Sequence, residues 1–305
     1  MLKKLPLPIS GLMLSLFAIG NLLQSFSPVI RTICGIIATV ICILVLAKIL
    51  LYPKDFADDM GKAPIASVFA TFPMSLMLLG QYLKPSFAPG GTILYYLGIA
   101  LHAILLLYFI SKFVLKPEYD KIFASYFIVF VGYVVASVVS PAFASQGLGQ
   151  VLFYLGLVLW VFSFYLVTKR YINKPEVPEP LQPLISVYAA PVGLLLAGYN
   201  QAFEEKTLWL LIALLVISQV LYFYSVIKAL ACLKSKFYPS FSAFTFPFVI
   251  TAMGAKMSNG FLTKQGIAPA FLGTLVSVET VIAALFVAFV LVNYIIFLAT
   301  PAKQN

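Results

Sequence analysis

The chain has 305 residues, 62% of them hydrophobic and 10% charged. Soluble domains are about half apolar and about a quarter charged, so these proportions exclude an ordinary soluble domain and indicate an integral membrane protein. The net charge of +10 would point to nucleic acid on a soluble protein, but here the lysines flank apolar runs, which makes them topology signals and excludes a nucleic-acid partner.

Ten apolar runs follow one another, each near the ~20 residues that cross ~30 Å of hydrocarbon. The first, 8–25, follows "MLKKLPLP" and imitates a signal peptide. Two prolines and the lack of a small-x-small cleavage site predict that it is retained. The second, 29–51, holds Cys34 and Cys42; with Cys232 these are expected to be small apolar helix residues, since no His or Asp clusters with them. The third, 64–83, contains "FATFPMSLMLLGQ". The fourth, 92–115, carries the single histidine, His102, expected to be buried or at an interface. The fifth and sixth are 122–141 and 149–168. The seventh, 183–200, contains "YAAPVGLLLAGYN", the eighth is 207–231, and the ninth, 240–262, contains "FTFPFVITAMGAK". The tenth, 269–298, holds Glu279, the one carboxylate deep in a run. The longest polar loops are 52–62 and 170–183. The expected fold is therefore a single all-α transmembrane domain over 1–305, with lipid as its solvent.

Fifteen of the twenty Lys and Arg residues fall on one side of these runs, including Lys116 and Lys303. Four, Arg31, Lys84, Lys206 and Lys264, fall on the other, and Lys256 lies within a run. The bias predicts that both termini are cytoplasmic and that the number of spans is even. A multi-pass protein of the cell's inner or plasma membrane is expected.

A repeat organises the runs. Pro73 precedes Gly80 by seven residues, Pro191 precedes Gly198 by seven, and Pro247 precedes Gly254 by seven. "GLMLSLFAIGN" and "FIVFVGYVVAS" continue the phase, ending at Gly20 and Ser137 with Met13 and Phe130 in the proline slot. The end points 20, 80, 137, 198 and 254 are spaced 60, 57, 61 and 56 apart. This predicts five tandem two-span hairpins of about 59 residues. The odd runs are rich in Gly, Pro, Ser and Phe, whereas the even ones are apolar all round. Small residues permit close helix packing, so the odd helices are expected inside and the even ones facing lipid. Each proline frees the carbonyl four residues earlier, at Phe69, Val187 and Ala243. Such carbonyls are tolerated in a membrane where protein packs on them or where they line a watery cavity. The prolines either shape packing or line an axial pathway; three in register favour the pathway.

Five hairpins with kinked inner helices, and "FTFP" in the ninth run, resemble the tellurite-resistance/dicarboxylate transporter family, which is related to the plant slow-type guard-cell anion channels and includes yeast malate permease. The resemblance covers essentially the whole chain. It implies a quasi-fivefold ring of inner helices around a central pore, an outer ring of five helices, and a homotrimer with one pore per subunit. It further implies that a phenylalanine of the ninth helix plugs the pore. Phe246 best matches that gate, with Phe244 in reserve and Phe72 in the equivalent slot of the third helix. A phenyl ring suits the task because an apolar constriction stops ions by dewetting. Spans 1 and 5 depart from the pattern in lacking the proline.

Other polar residues leave alternatives open. Lys256, roughly 15 Å along the helix from Phe246, either draws anions into an outer vestibule or snorkels to the interface. Asn21, Gln81 and Asn200, with Lys256, follow the repeat glycines and are candidates for a polar ring at the outer mouth. Glu279 is either one half of an ion pair between helices or a proton-coupling carboxylate. No Ser-His-Asp set, metal-ligand spacing or phosphate loop is present, so neither an enzyme nor a cofactor is expected. Two functions follow: an anion channel for small inorganic or carboxylate anions, or a proton-coupled carrier of malate-type C4-dicarboxylates.

Overall fold

The computed structural model describes residues 2–115 and 117–300, and every regular element among them is helical. Lys116 and Lys303, counted in the charge bias, lie outside the described residues. The chain forms α1 (Ile9–Leu23), α2 (Pro28–Leu51), α3 (Ala63–Leu83), α4 (Ala88–Val114) and α5 (Tyr126–Phe143). These are followed by α6 (Gln146–Asn173), α7 (Glu179–Ala202), α8 (Leu208–Cys232), α9 (Phe246–Lys264) and α10 (Ala270–Ala299).

Eight of these are long and apolar enough to cross a membrane; α1 and α9 are not among them. α1 has only 15 residues, whereas α9 has 19 but carries Lys256, Ser258 and Asn259, which lower its hydropathy. Pro6 and Pro8 leave only i→i−3 bonds ahead of α1, from Ile9 to Pro6 and from Ser10 to Leu7. Ahead of α9 the chain runs as a 3-10 segment, Pro239–Phe244, and bends at Thr245 (φ −102°, ψ −81°). Proline thus shortens the α-helical part of both.

Burial separates the helices into two sets. Between 78% and 83% of α3, α5 and α7 is buried, against 22% to 33% of α2, α4, α6, α8 and α10. In α1 only Asn21 and Leu23 escape full burial, and α9 is buried from Phe246 to Ala255. The buried helices contact one another in sequence, α1 on α3, α3 on α5, α5 on α7 and α7 on α9, and α9 returns to α1. Each of the others packs on its preceding inner helix and on the next.

Small residues make the seams. A Cβ on Gly193 would lie 2.6 Å from Thr251 Oγ1 and 2.9 Å from Thr251 Cα, so α7 and α9 touch nearly backbone to backbone. Gly98 of α4 sits against the Pro73 carbonyl in the same way, at 2.7 Å. Hydroxyls then tie neighbours together: Thr71 to Ser10 (2.7 Å), Ser67 to Ser125 (2.7 Å), Thr251 to the Ala189 carbonyl (3.2 Å) and Thr245 to the Gly11 carbonyl (3.4 Å). In hydrocarbon these bonds replace what water would otherwise supply.

Candidate functional site

Every inner helix is irregular near its middle or start. A turn at Ala70 splits α3, a 3-10 step at Gly132–Val134 interrupts α5, and the first part of α7, Glu179–Ala189, is 3-10 throughout. Long 3-10 runs are uncommon because their hydrogen bonds are poorer. Side chains compensate. Ser10, Thr71 and Thr245 each donate to the carbonyl three residues earlier, at 2.8, 2.7 and 2.6 Å, and Thr251 donates to the Pro247 carbonyl at 2.9 Å. Carbonyls at the starts of α1 and α9 and at the break in α3 are thereby satisfied from within the ring.

Two cavities lie within the ring. The smaller, about 30 Å³, has walls from all five inner helices, among them Gly11, Thr71, Phe127, Pro191 and Pro247. It is apolar and has room for about one water. The larger, about 380 Å³, is lined by Asn21, Gln81, Gln201, Ile250 and Lys256, and no acidic side chain borders it. Among the described residues Phe246 alone lines both cavities, and its side chain is buried, with the residue 5% exposed.

The predicted residues distribute unevenly over this arrangement. Pro191 and Pro247 line the small cavity, whereas Pro73 lines neither. Phe72 lines neither cavity and stacks on Phe69, ring centroids 5.3 Å apart. Phe244 also lines neither; it packs against Phe241 (4.8 Å) and Phe286 of α10 (5.8 Å). The repeat glycines are contact points rather than lining. Gly80 meets the Gly91 carbonyl of α4, Gly198 meets Val134 and Ser137 of α5, and Gly254 meets the Gly193 carbonyl of α7.

At the large cavity, Asn21 donates to Gln81 (2.9 Å) and accepts from Arg31 Nε (3.0 Å). Lys256 donates to the Leu22 carbonyl (2.8 Å) and Ser25 (2.6 Å), and its ammonium lies 5.2 Å from the Phe26 ring centre. It therefore bridges α9 to the end of α1 while bordering the cavity. Asn200 does not line this cavity; it donates to Ser258 (2.9 Å) and to the Leu196 carbonyl (2.9 Å). Gln201 occupies the wall instead. One residue is about 100° of helix, so the polar step after the repeat glycine was visible and its rotation was not.

Glu279 and Lys256 form no ion pair, because they face different neighbours. Glu279 is fully buried outside both cavities and neither carboxyl oxygen has a hydrogen-bond partner. Its polar neighbours are Gln219 and Tyr222 of α8, whose own side-chain polar atoms are also unpartnered. His102 is buried, with Nε2 3.0 Å from the Val129 carbonyl, in the seam between α4 and α5.

Eight helices long and apolar enough to cross a membrane make this a multi-pass membrane protein. Residues 6–295 match the family described as voltage-dependent anion channel, and the chain belongs to that family. A comparison with curated proteins found no match. Membership brings membrane anion transport, by channel or by carrier.

Proposed function

We propose that the protein is an anion channel whose pore follows the axis of the inner ring and is closed by Phe246. The observation that carries this reading is the position of that one ring between the two cavities. An apolar plug between a chamber of about 30 Å³ and one of about 380 Å³ blocks ions by keeping the passage dry. The larger chamber is suited to small inorganic or carboxylate anions, being bordered by amides and Lys256 with no acid.

Five tandem hairpins forming ten spans underlie this pore in our reading. Its support is the separation of the bonded pairs: 60 residues for Asn21 and Gln81, 58 for Asn200 and Ser258, 61 for Ser10 and Thr71. The bonds from Thr245, just ahead of α9, to Gly11 and from Lys256 to Leu22 each span 234 residues, close to four periods. By the charge bias the large cavity opens outward, both termini are cytoplasmic and the membrane is the cell's inner or plasma membrane. The family resemblance adds a homotrimer with one pore per subunit, and the exposed apolar faces of the even helices supply surface for it.

Lys256→Gln is expected to lower anion current about fivefold in reconstituted bilayers, the effect of removing one partly screened charge at the mouth. An unchanged current would leave Lys256 as a strut between α9 and α1. The second reading, a proton-coupled dicarboxylate carrier, needs a titrating group in the path. Glu279 is the deep carboxylate, yet it stands behind the wall. Glu279→Gln should therefore leave malate and chloride flux, and their pH profiles, as in the parent protein. Loss of pH-dependent malate flux in that variant would favour the carrier.

A further inference from the structure

At the end of the bundle away from Lys256, a cavity of about 950 Å³ opens between the ends of α4 and α6 and the 174–178 segment. Arg170 of α6 forms part of its wall and is only 2% exposed. Its guanidinium donates to three main-chain carbonyls, Lys174 (2.8 Å), Glu176 (3.1 Å) and Asp120 (3.3 Å). Phe123 and Tyr171 pack on it at 4.9 and 5.0 Å. No carboxylate pairs with it among the described residues, and its Nε–H has no acceptor. Neutral carbonyls orient the group without cancelling its charge. A buried charge lacking its counter-ion is costly, so the arrangement is complete only with an anion beside it.

The surroundings indicate which anion. Lys62, Lys121 and Lys174 border the same cavity together with the acids Glu118, Asp120 and Glu176; Lys121 and Lys174 are about half exposed and pair with Glu118 and Asp120, so the wall carries one more cation than acids once Arg170 is counted. Towards the ends of the same two helices, Lys112 donates to Tyr108 on α4 (2.9 Å) and Lys169 to Tyr165 on α6 (3.2 Å). Tyrosine and lysine at helix ends mark the depth of lipid headgroups. Leu115, just past the end of α4, and Ile172, in the last turn of α6, are 72% and 74% exposed, an apolar surface for acyl chains. Basic pockets between helix ends at this depth take phosphate headgroups.

We propose that this cavity holds the phosphate headgroup of an anionic lipid, with Arg170 as the buried counter-charge and Lys121 and Lys174 at its rim. The site is separate from the pore and does not rest on the conduction reading. Native mass spectrometry of protein extracted from vesicles of phosphatidylcholine and phosphatidylglycerol tests it. Selective retention of the anionic lipid is expected, weakened about fivefold for each rim lysine removed in Lys121→Gln and Lys174→Gln. These variants spare the carbonyl bonds of Arg170, whose own replacement risks the local fold. Retention without headgroup preference, or equal retention by the double variant, overturns the proposal. Inorganic phosphate raising the melting midpoint of lipid-free protein, with no selective lipid retention, overturns the lipid source in favour of a soluble phosphate.

Discussion

Phe246→Ala should raise anion current on the order of a hundredfold in reconstituted bilayers under chloride or malate gradients. Among the described residues the ring is the one side chain bordering both cavities within the inner ring, so its removal is expected to join them. An apolar constriction excludes ions by withholding water, and lowering that barrier by about 3 kcal/mol corresponds to roughly two decades in rate. Phe244→Ala is the matched control. Its ring packs between Phe241 and Phe286, away from both cavities, so it should cost about 3–5 kcal/mol of stability with no gain in current. A Phe246→Ala protein that is folded and passes no more current than its parent would sink the gate.

Gly193→Ala should be strongly destabilising. The new Cβ would meet Thr251 at Oγ1 (2.6 Å), Cα (2.9 Å) and N (3.0 Å), and the last two are main-chain atoms that no rotamer change can move. Either α7 or α9 must shift, breaking the bond from Thr251 to the Ala189 carbonyl. Overpacking of this kind costs about 1–3 kcal/mol, and a marked fall in the melting midpoint in detergent is expected. Gly260→Ala, which meets nothing within 4 Å, should melt like the parent. Equal midpoints for the two variants would show that the α7–α9 seam tolerates separation. Because α9 carries Phe246, the Gly193 variant should also leak.

Much of the helical layout was legible because lipid makes simple demands. Residues facing it must be apolar, and helices that touch must carry small residues, so runs rich in Gly, Ser and Pro announced the buried set. Rotation of each helix was not legible. The second α-helical stretch of α3 begins after Ala70, three residues before Pro73, but the α-helical parts of α7 and α9 begin after Ala189 and Thr245, two before Pro191 and Pro247. One residue of offset turns a helix by about 100°. Pro191, Pro247 and Phe246 accordingly face the axis, while Pro73 and Phe72, in the same slot of the repeat, turn away. That Glu279 and Lys256 form no ion pair has the same origin, since a place on neighbouring helices says nothing of azimuth. The mouth residue Gln201 was one position from Asn200 for the same reason.

The bonds from Thr245 to Gly11 and from Lys256 to Leu22 join segments 234 residues apart. Synthesis at ~5–20 residues per second separates those partners by tens of seconds. Until the ninth helix emerges, α1 has one flank without its partner. On the channel reading proposed above, no lumen is closed before that seam forms, so a chain stalled earlier in synthesis is expected to pass no ions.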